Sequence, residues 1–219
     1  ATKTTAAKAT TTRKRTSAAA KKAGRATNEG TVMTVLADDA KSAAVVELNC
    51  ETDFVGMNEK FKAYAEKLGR AALAANAADV EALRASTFEG EPVEDILTDA
   101  IHVLGENIQL PRATTVNAGG IASYIHGGGK IGVLVNLAVE GGIDATTIGK
   151  DVAMQIAALN PRFWDKSLVT EDVIAEEKKV LVAQMDNDPK MATKPQQVKE
   201  KIAAGKLNKF YEENCLLQQ

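Results

Sequence analysis

Branched apolar residues cluster in short runs at the start and near the middle of this chain. Residues 31–36 (TVMTVL) and 44–48 (AVVEL) are such runs, separated by the polar segment 37–42. This arrangement predicts two antiparallel strands joined as a hairpin. Residues 121–125 (IASYI) and 132–137 (GVLVNL) repeat it around the turn His126-Gly127-Gly128-Gly129. The two hairpins align without a gap at an offset of 89 residues. Gly30 falls on Gly119, Lys41 on Lys130, Val46 on Val135 and Leu48 on Leu137, while Val32 meets Ile121 and Leu36 meets Ile125. Equal strand and loop lengths predict an internal duplication. The expected fold class is therefore α+β, with two related subdomains that each pack a small antiparallel sheet with helices. The expected boundaries are 26–118 and 119–219, after a flexible basic tail at 1–25.

Between and after the hairpins the apolar period changes to that of helices. Asn58 can cap a helix whose apolar face is Phe61, Tyr64, Ala65, Leu68, Ala72 and Ala75. Pro92 suits a first helical position, with Glu91, Glu94 and Asp95 at the positive end of the helix dipole. The stripe of that helix is Val93, Ile96, Leu97, Ala100, Ile101 and Leu104. A further stripe is predicted at Ile148, Val152, Ile156 and Leu159, ahead of Pro161. Thr170 can cap a helix carrying Val173, Ile174, Val180 and Leu181, which Asp186-Asn187-Asp188-Pro189 breaks. Pro195 is expected to start another helix that Gly205 ends, followed by a short helix over 206–214.

Charge sharpens this picture. The formal net charge of the 219 residues is −2, yet residues 1–28 hold eight basic residues and no acid, which leaves a balance of −10 for the remainder. Residues 1–16 are nearly all Ala, Thr, Lys and Arg, without helical or strand period. Three readings of this tail stand side by side: a salt-sensitive nucleic-acid arm, a targeting remnant, and a solvated linker. No apolar run approaches the ~18 residues of a membrane span. Two cysteines, Cys50 and Cys215, suit a reducing compartment.

Catalytic chemistry finds little footing. The His126-Gly127-Gly128-Gly129 run lacks an accompanying nucleophile elbow, and Tyr124 and Ile131 stand where a phosphate loop would need Gly and Ser or Thr. The triplet reads as a hairpin turn needing positive φ, with His126 at its tip or edge. His102 reads as structural and Cys50 as a small buried hydrophobe. No Cys/His cluster has zinc spacing. No cofactor is expected, and the chain is not expected to be an enzyme. The segment Asn49-Cys50-Glu51-Thr52-Asp53-Phe54-Val55 stands out, because strand-to-helix loops are where scaffolds present functional residues. One reading puts Phe54 in the core with Asp53 as a cap-like residue. The other makes the pair a wedge, an aromatic ring for a partner's pocket beside a charge.

That segment, continued by Asn58-Glu59-Lys60-Phe61, resembles the signature of the elongation factor Ts family, the guanine-nucleotide exchange factors for elongation factor Tu. Other blocks are similar to the family in the same order: Ala19-Ala20-Lys21-Lys22-Ala23-Gly24-Arg25, Gly105-Glu106-Asn107-Ile108, Ser123-Tyr124-Ile125-His126-Gly127, Lys130-Ile131-Gly132-Val133-Leu134-Val135, Val152-Ala153-Met154-Gln155-Ile156-Ala157-Ala158, Asn160-Pro161 and Cys215-Leu216-Leu217-Gln218-Gln219. The resemblance runs from about Ala18 to Gln219 and implies a two-subdomain α+β core. It further implies that Asp53 and Phe54 insert between helices of the partner's nucleotide-binding domain and disturb its magnesium and phosphate site. Leu104, Gly105 and His126 are implied as additional partner contacts. The family's N-terminal helical module and C-terminal extension have no counterpart here, so a fragment is expected. A bacterial cytoplasm is the expected location, with an organelle as the alternative. The competing function is an RNA-binding adaptor that uses the basic tail.

Overall fold

A computed structural model of the chain describes residues 19–141 and 145–219. The readings of the basic tail over 1–18 lie outside the described residues. The chain divides into two compact units, one ending at Ala157 and the other running from Ala158 to Gln219.

In the first unit β1 (Glu29–Leu36) and β2 (Ser42–Cys50) form the predicted hairpin. They pair antiparallel from Glu29 with Cys50 to Leu36 with Ala43. Along β2 the side chains of Ala44, Val46, Leu48 and Cys50 are buried while the intervening ones are partly exposed, the period of two that places one face on a core. Residues 109–117 contain Pro111 and no strong apolar period, and they add a third strand, β5 (Gln109–Asn117), to give the order β1-β2-β5. After β2 come a single helical turn, α1 (Asp53–Gly56), then α2 (Glu59–Ala75) and the short α3 (Val80–Arg84). Asn58 caps α2 as expected, its side-chain oxygen accepting from the Lys60 N–H at 2.9 Å. Phe61, Ala65, Leu68 and Ala72 of α2 are buried against the sheet. The approach is close: a methyl group on Gly69 would lie 2.7 Å from Val35 Cγ2.

A two-residue ribbon, β3 (Thr87–Phe88) with β4 (Glu91–Pro92), leads into α4 (Val93–Leu104). Pro92 sits just ahead of the first helical residue, and Val93, Ile96, Leu97, Ala100 and Ile101 complete the main core. His102 lies on the exposed side of α4 instead of in the structural role expected for it. Gly105 ends the helix with φ of 79°, a left-handed position that glycine adopts without strain.

The second hairpin is β6 (Gly120–His126) with β7 (Ile131–Leu137). Its register matches that of the first hairpin at the same offset of 89 residues, since Thr31 opposite Leu48 corresponds to Gly120 opposite Leu137. The β6–β7 sheet has two strands where the first has three. On it lies α5 (Thr146–Leu159), and here the predicted stripe shifts. Gly149, Ala153 and Ala157 are buried, Val152 and Ile156 pack beside them, and Ile148 and Leu159 are exposed. Proximity is the reason. A methyl on Gly149 would lie 2.7 Å from Leu137 Cδ1, so only the smallest residues fit beneath the helix.

The second unit holds α6 (Glu171–Asn187) and α7 (Gln196–Asn214), joined through residues 188–195. Thr170 caps α6 through Val173 N–H, and Pro195 precedes α7, both as expected. The helices run antiparallel: Val173 and Ile174 pack with Phe210 and Tyr211 at one end, while Lys199 of α7 pairs with Asp186 of α6 toward the other. A helical hairpin is therefore present, with helices of 17 and 19 residues. Gly205 does not end α7. Its backbone stays helical and its surroundings are open, so the cost is only the ~1 kcal/mol that glycine loses to alanine in a helix. Cys215 is fully buried at the foot of the pair, where the neighbouring Leu216 N–H donates to the Phe163 carbonyl at 2.9 Å.

Candidate functional site

The residues singled out in the sequence converge on one end of the first unit, where β1 begins and β2 finishes. Glu29 and Gly30 face Cys50 and Asn49 across the ladder there. The chain turns from Cys50 into α1 within two residues. Thr52 makes this turn possible: its backbone is extended and its hydroxyl accepts from Val55 N–H at 3.4 Å, capping the helical turn. The Cys50 thiol donates to the Thr52 carbonyl at 3.2 Å. Asp53 opens the helical turn, where a carboxylate favours the dipole.

Phe54 is 80% exposed, so the core reading of this ring fails. The sheet face beneath is already filled by Cys50 and Val55, and the turn leaves Phe54 pointing away from them. Met57, 63% exposed, extends the apolar surface. An aromatic ring held bare on an ordered turn costs water contacts that a partner's pocket would relieve.

The loop after α4 meets this turn from the side. Glu106 accepts from the N–H groups of Glu51 and Thr52 at 2.9 and 3.1 Å and from the Thr52 hydroxyl at 2.6 Å. In return Glu51 accepts from Asn107 N–H at 2.7 Å. That bond, with the Arg25 guanidinium adding to it, holds the Glu51 carboxyl below its ordinary range. Asn107 is buried and donates to the Arg25 carbonyl at 2.8 Å. Leu104 and Gly105, immediately ahead of Glu106, are thereby brought beside the Asp53–Phe54 turn. Val103, exposed at the same helix end, joins them.

The second hairpin reaches the site through its turn. Lys130 pairs with Glu29 at 2.7 Å, and this hydrogen bond raises the lysine's affinity for its proton, with the charge of Asp53 contributing. The Val32 N–H donates to the Gly129 carbonyl at 2.6 Å. Gly129 has φ of 103°, and a methyl there would overlap the Thr31 hydroxyl. His126 is exposed at the last position of β6, with Nδ1 3.0 Å from the Tyr124 hydroxyl. All five candidates therefore lie at one end: Asp53, Phe54, Leu104 and Gly105 around Glu106, and His126 beside the Lys130 turn. Met57, Val103 and Lys130 were not singled out from sequence. An exposed methionine one turn after Phe54 had no period to mark it, and Lys130 stood in the sequence as a residue shared by the two hairpins and the first of a family-like block, with no contact role attached.

Among the described residues no group of His, Cys, Asp or Glu is arranged to hold a metal ion, and no helix is long and apolar enough to cross a membrane. Burial, with the charges of Glu106 and Glu29 adding, pushes the Cys50 thiol from its ordinary 9.0 up to about 11. The unfolded thiol ionises near 9, so the stability tied to the neutral form is present below that pH and is lost as pH rises through about 11. Iodoacetamide at pH 8 is expected to leave Cys50 and Cys215 unmodified in the folded chain and to label both in denaturant, read by mass spectrometry. Rapid labelling of Cys50 without denaturant would contradict its burial.

A sequence model of the family described as "Elongation factor TS" matches residues 51–219. The chain is 44% identical over 207 residues to elongation factor Ts of Clostridium botulinum strain ATCC 19397 (Type A), covering 92% of this chain and 66% of that protein. It is 43% identical over the same length, with the same coverage, to elongation factor Ts of strain 657 (Type Ba4). The elongation factor Ts of strain Alaska E43 (Type E3) is 44% identical over 205 residues, covering 92% of this chain and 66% of that protein. The chain thus spans about two thirds of the length of these relatives. The matched region begins at Glu51, within the loop that Glu106 holds, and takes in every candidate contact residue, so the chain belongs to the elongation factor Ts family.

Proposed function

We propose that this chain binds elongation factor Tu and accelerates the release of GDP from it, with Asp53 and Phe54 as a wedge that disturbs the partner's magnesium and phosphate site. Leu104, Gly105 and His126 are proposed as flanking contacts. The observation that carries this reading is Phe54, 80% exposed on a turn whose backbone is tied down on both sides. Membership of the elongation factor Ts family supports it. A ring so displayed loses little conformational freedom on insertion, which is how a small contact yields binding energy. The carboxylate beside it carries charge toward a cation-containing site.

The mechanism is a coupling of two ligands on one partner. If factor binding weakens nucleotide binding, nucleotide weakens factor binding by the same factor, and each ~1.4 kcal/mol of coupling is tenfold in affinity. No bond is made or broken on this chain. A bacterial cytoplasm is the proposed setting, in keeping with the bacterial relatives. The test mixes the chain with elongation factor Tu carrying labelled GDP and follows release against excess unlabelled GDP. Release should quicken with added chain and saturate. Unchanged release at micromolar protein, with folding verified by circular dichroism, would refute the reading.

A further inference from the structure

We infer that Glu106 is a positioning residue for the Asp53–Phe54 wedge, an inference that rests on the exchange function proposed above. The argument begins with backbone donors. The β1–β2 ladder stops at Cys50, which faces Glu29. The bonds of the following turn start with Gly56 N–H to the Thr52 carbonyl and Met57 N–H to the Asp53 carbonyl. The N–H groups of Glu51 and Thr52 fall between these two systems, and Glu106, 54 and 55 residues away in sequence, accepts from both. Its second carboxylate oxygen takes the Thr52 hydroxyl, which itself caps the turn through Val55. One ionised group therefore receives three charge-assisted hydrogen bonds, the strong kind.

The clasp is reciprocal, because Glu51 takes the Asn107 N–H. Residues 51–52 and 106–107 are locked crosswise, and the ring of Phe54 is what this locked turn displays. Without Glu106, Glu51 and Thr52 would bond to water and the turn would sample other conformations. The chain would still dock through its flanking contacts, but only the docked fraction in the competent conformation would insert, so the release rate at saturation would fall with that fraction. Glu106 also follows Gly105 directly, so the same carboxylate fixes the spacing between the wedge and the contacts proposed at Leu104 and Gly105. A purely structural role would leave insertion unaffected in any variant that folds.

The test measures labelled GDP release from elongation factor Tu across a range of concentrations of the full chain. Glu106→Ala should lower the maximal release rate about tenfold with the circular dichroism spectrum retained. In Glu106→Gln the amide oxygen can still accept from the two N–H groups, and the rate should stay within about threefold of the original. Amide hydrogen exchange of Glu51 and Thr52, read in the chain alone, should accelerate in the alanine variant and recover in the glutamine variant. If the alanine variant does not fold, Thr52→Val removes the hydroxyl bond to Glu106 and should lower the maximal rate about threefold. A maximal rate equal to that of the unmodified chain in Glu106→Ala, or in Thr52→Val where the former is unfolded, overturns the inference. So does a tenfold loss with Glu51 and Thr52 still protected. An unmodified chain that leaves GDP release unchanged overturns the exchange function instead, and the amide protection then decides the clasp by itself.

Discussion

Phe54→Ala abolishes most of the acceleration of GDP release and leaves the fold untouched: this is the expected result with the largest functional effect. The side chain is 80% exposed, so its removal opens no cavity and stability should stay within about 0.5 kcal/mol. An aromatic anchor in a partner's pocket is worth about 2 kcal/mol or more, a factor of at least ~30 in exchange efficiency. Adding Asp53→Ala should deepen the loss, since Asp53 lies next to the ring and brings the charge. Phe54→Leu should retain part of the activity, because an apolar side chain of similar reach survives. The measurement pairs stopped-flow GDP release with urea unfolding. A Phe54→Ala variant with full exchange activity would move the function away from this turn. One with lost exchange and an equally lowered unfolding midpoint would show that the ring serves the fold.

Gly129→Ala should be strongly destabilising. The position has φ of 103°, which an L side chain rarely adopts, and the added methyl would overlap the Thr31 hydroxyl of β1. Backbone strain and overpacking together should cost roughly 2–5 kcal/mol. That is a large share of the stability of an ordinary domain. The β6–β7 turn would have to move off β1, breaking the Val32–Gly129 bond and disturbing the Lys130–Glu29 pair and His126 with it. Urea unfolding followed by circular dichroism should show a clearly lower midpoint, and GDP release should weaken in parallel. Gly128→Ala is the matched control. It also has positive φ, but its surroundings are open, so it should lose the strain contribution alone. Equal midpoints for the two variants would mean that contact with β1 contributes nothing.

Local chemistry explains which parts of the fold were legible. Asn58 and Thr170 announced their helices because a cap is a bond between neighbours in sequence, and Pro92 marked the start of α4 because its ring fixes φ and it has no N–H to leave unpaired. The first hairpin was legible because one face of β2 is buried and alternation exposes that. Strand β5 was not, since Leu110 and Ala113 are its only buried residues, three apart and without alternation, and pairing with β2 recruits the rest. The buried face of α5 differs from its stripe of large apolar residues because closeness to the sheet selects Gly149, Ala153 and Ala157. Gly205 was given the power to stop a helix that packing carries through it.

The same limit governs the site. From composition, Phe54 belongs inside, and only the family signature argued otherwise. Its exposure follows from the short turn between Cys50 and Met57, a geometric fact with no periodic signature. Glu106 stood in the sequence as the middle of a Gly-Glu-Asn block. That its carboxylate reaches Glu51 and Thr52 is a long-range consequence of α4 packing against α2, which no local pattern encodes.

The three-stranded sheet has two outer margins, and each is closed in its own way. Strands with free N–H and C=O groups along a margin are templates for another strand, from a partner or from a second copy. On β1 the Val32 N–H is already taken by Gly129. On β5 Pro111 has no N–H to offer, Arg112 places a charge beside it, and Thr114 is turned to the Ala78 carbonyl of the neighbouring loop. The chain is thus guarded against growing its sheet by strand addition. The recognition proposed above uses the end of the sheet instead, through side chains: one ring, one carboxylate and the loops that hold them.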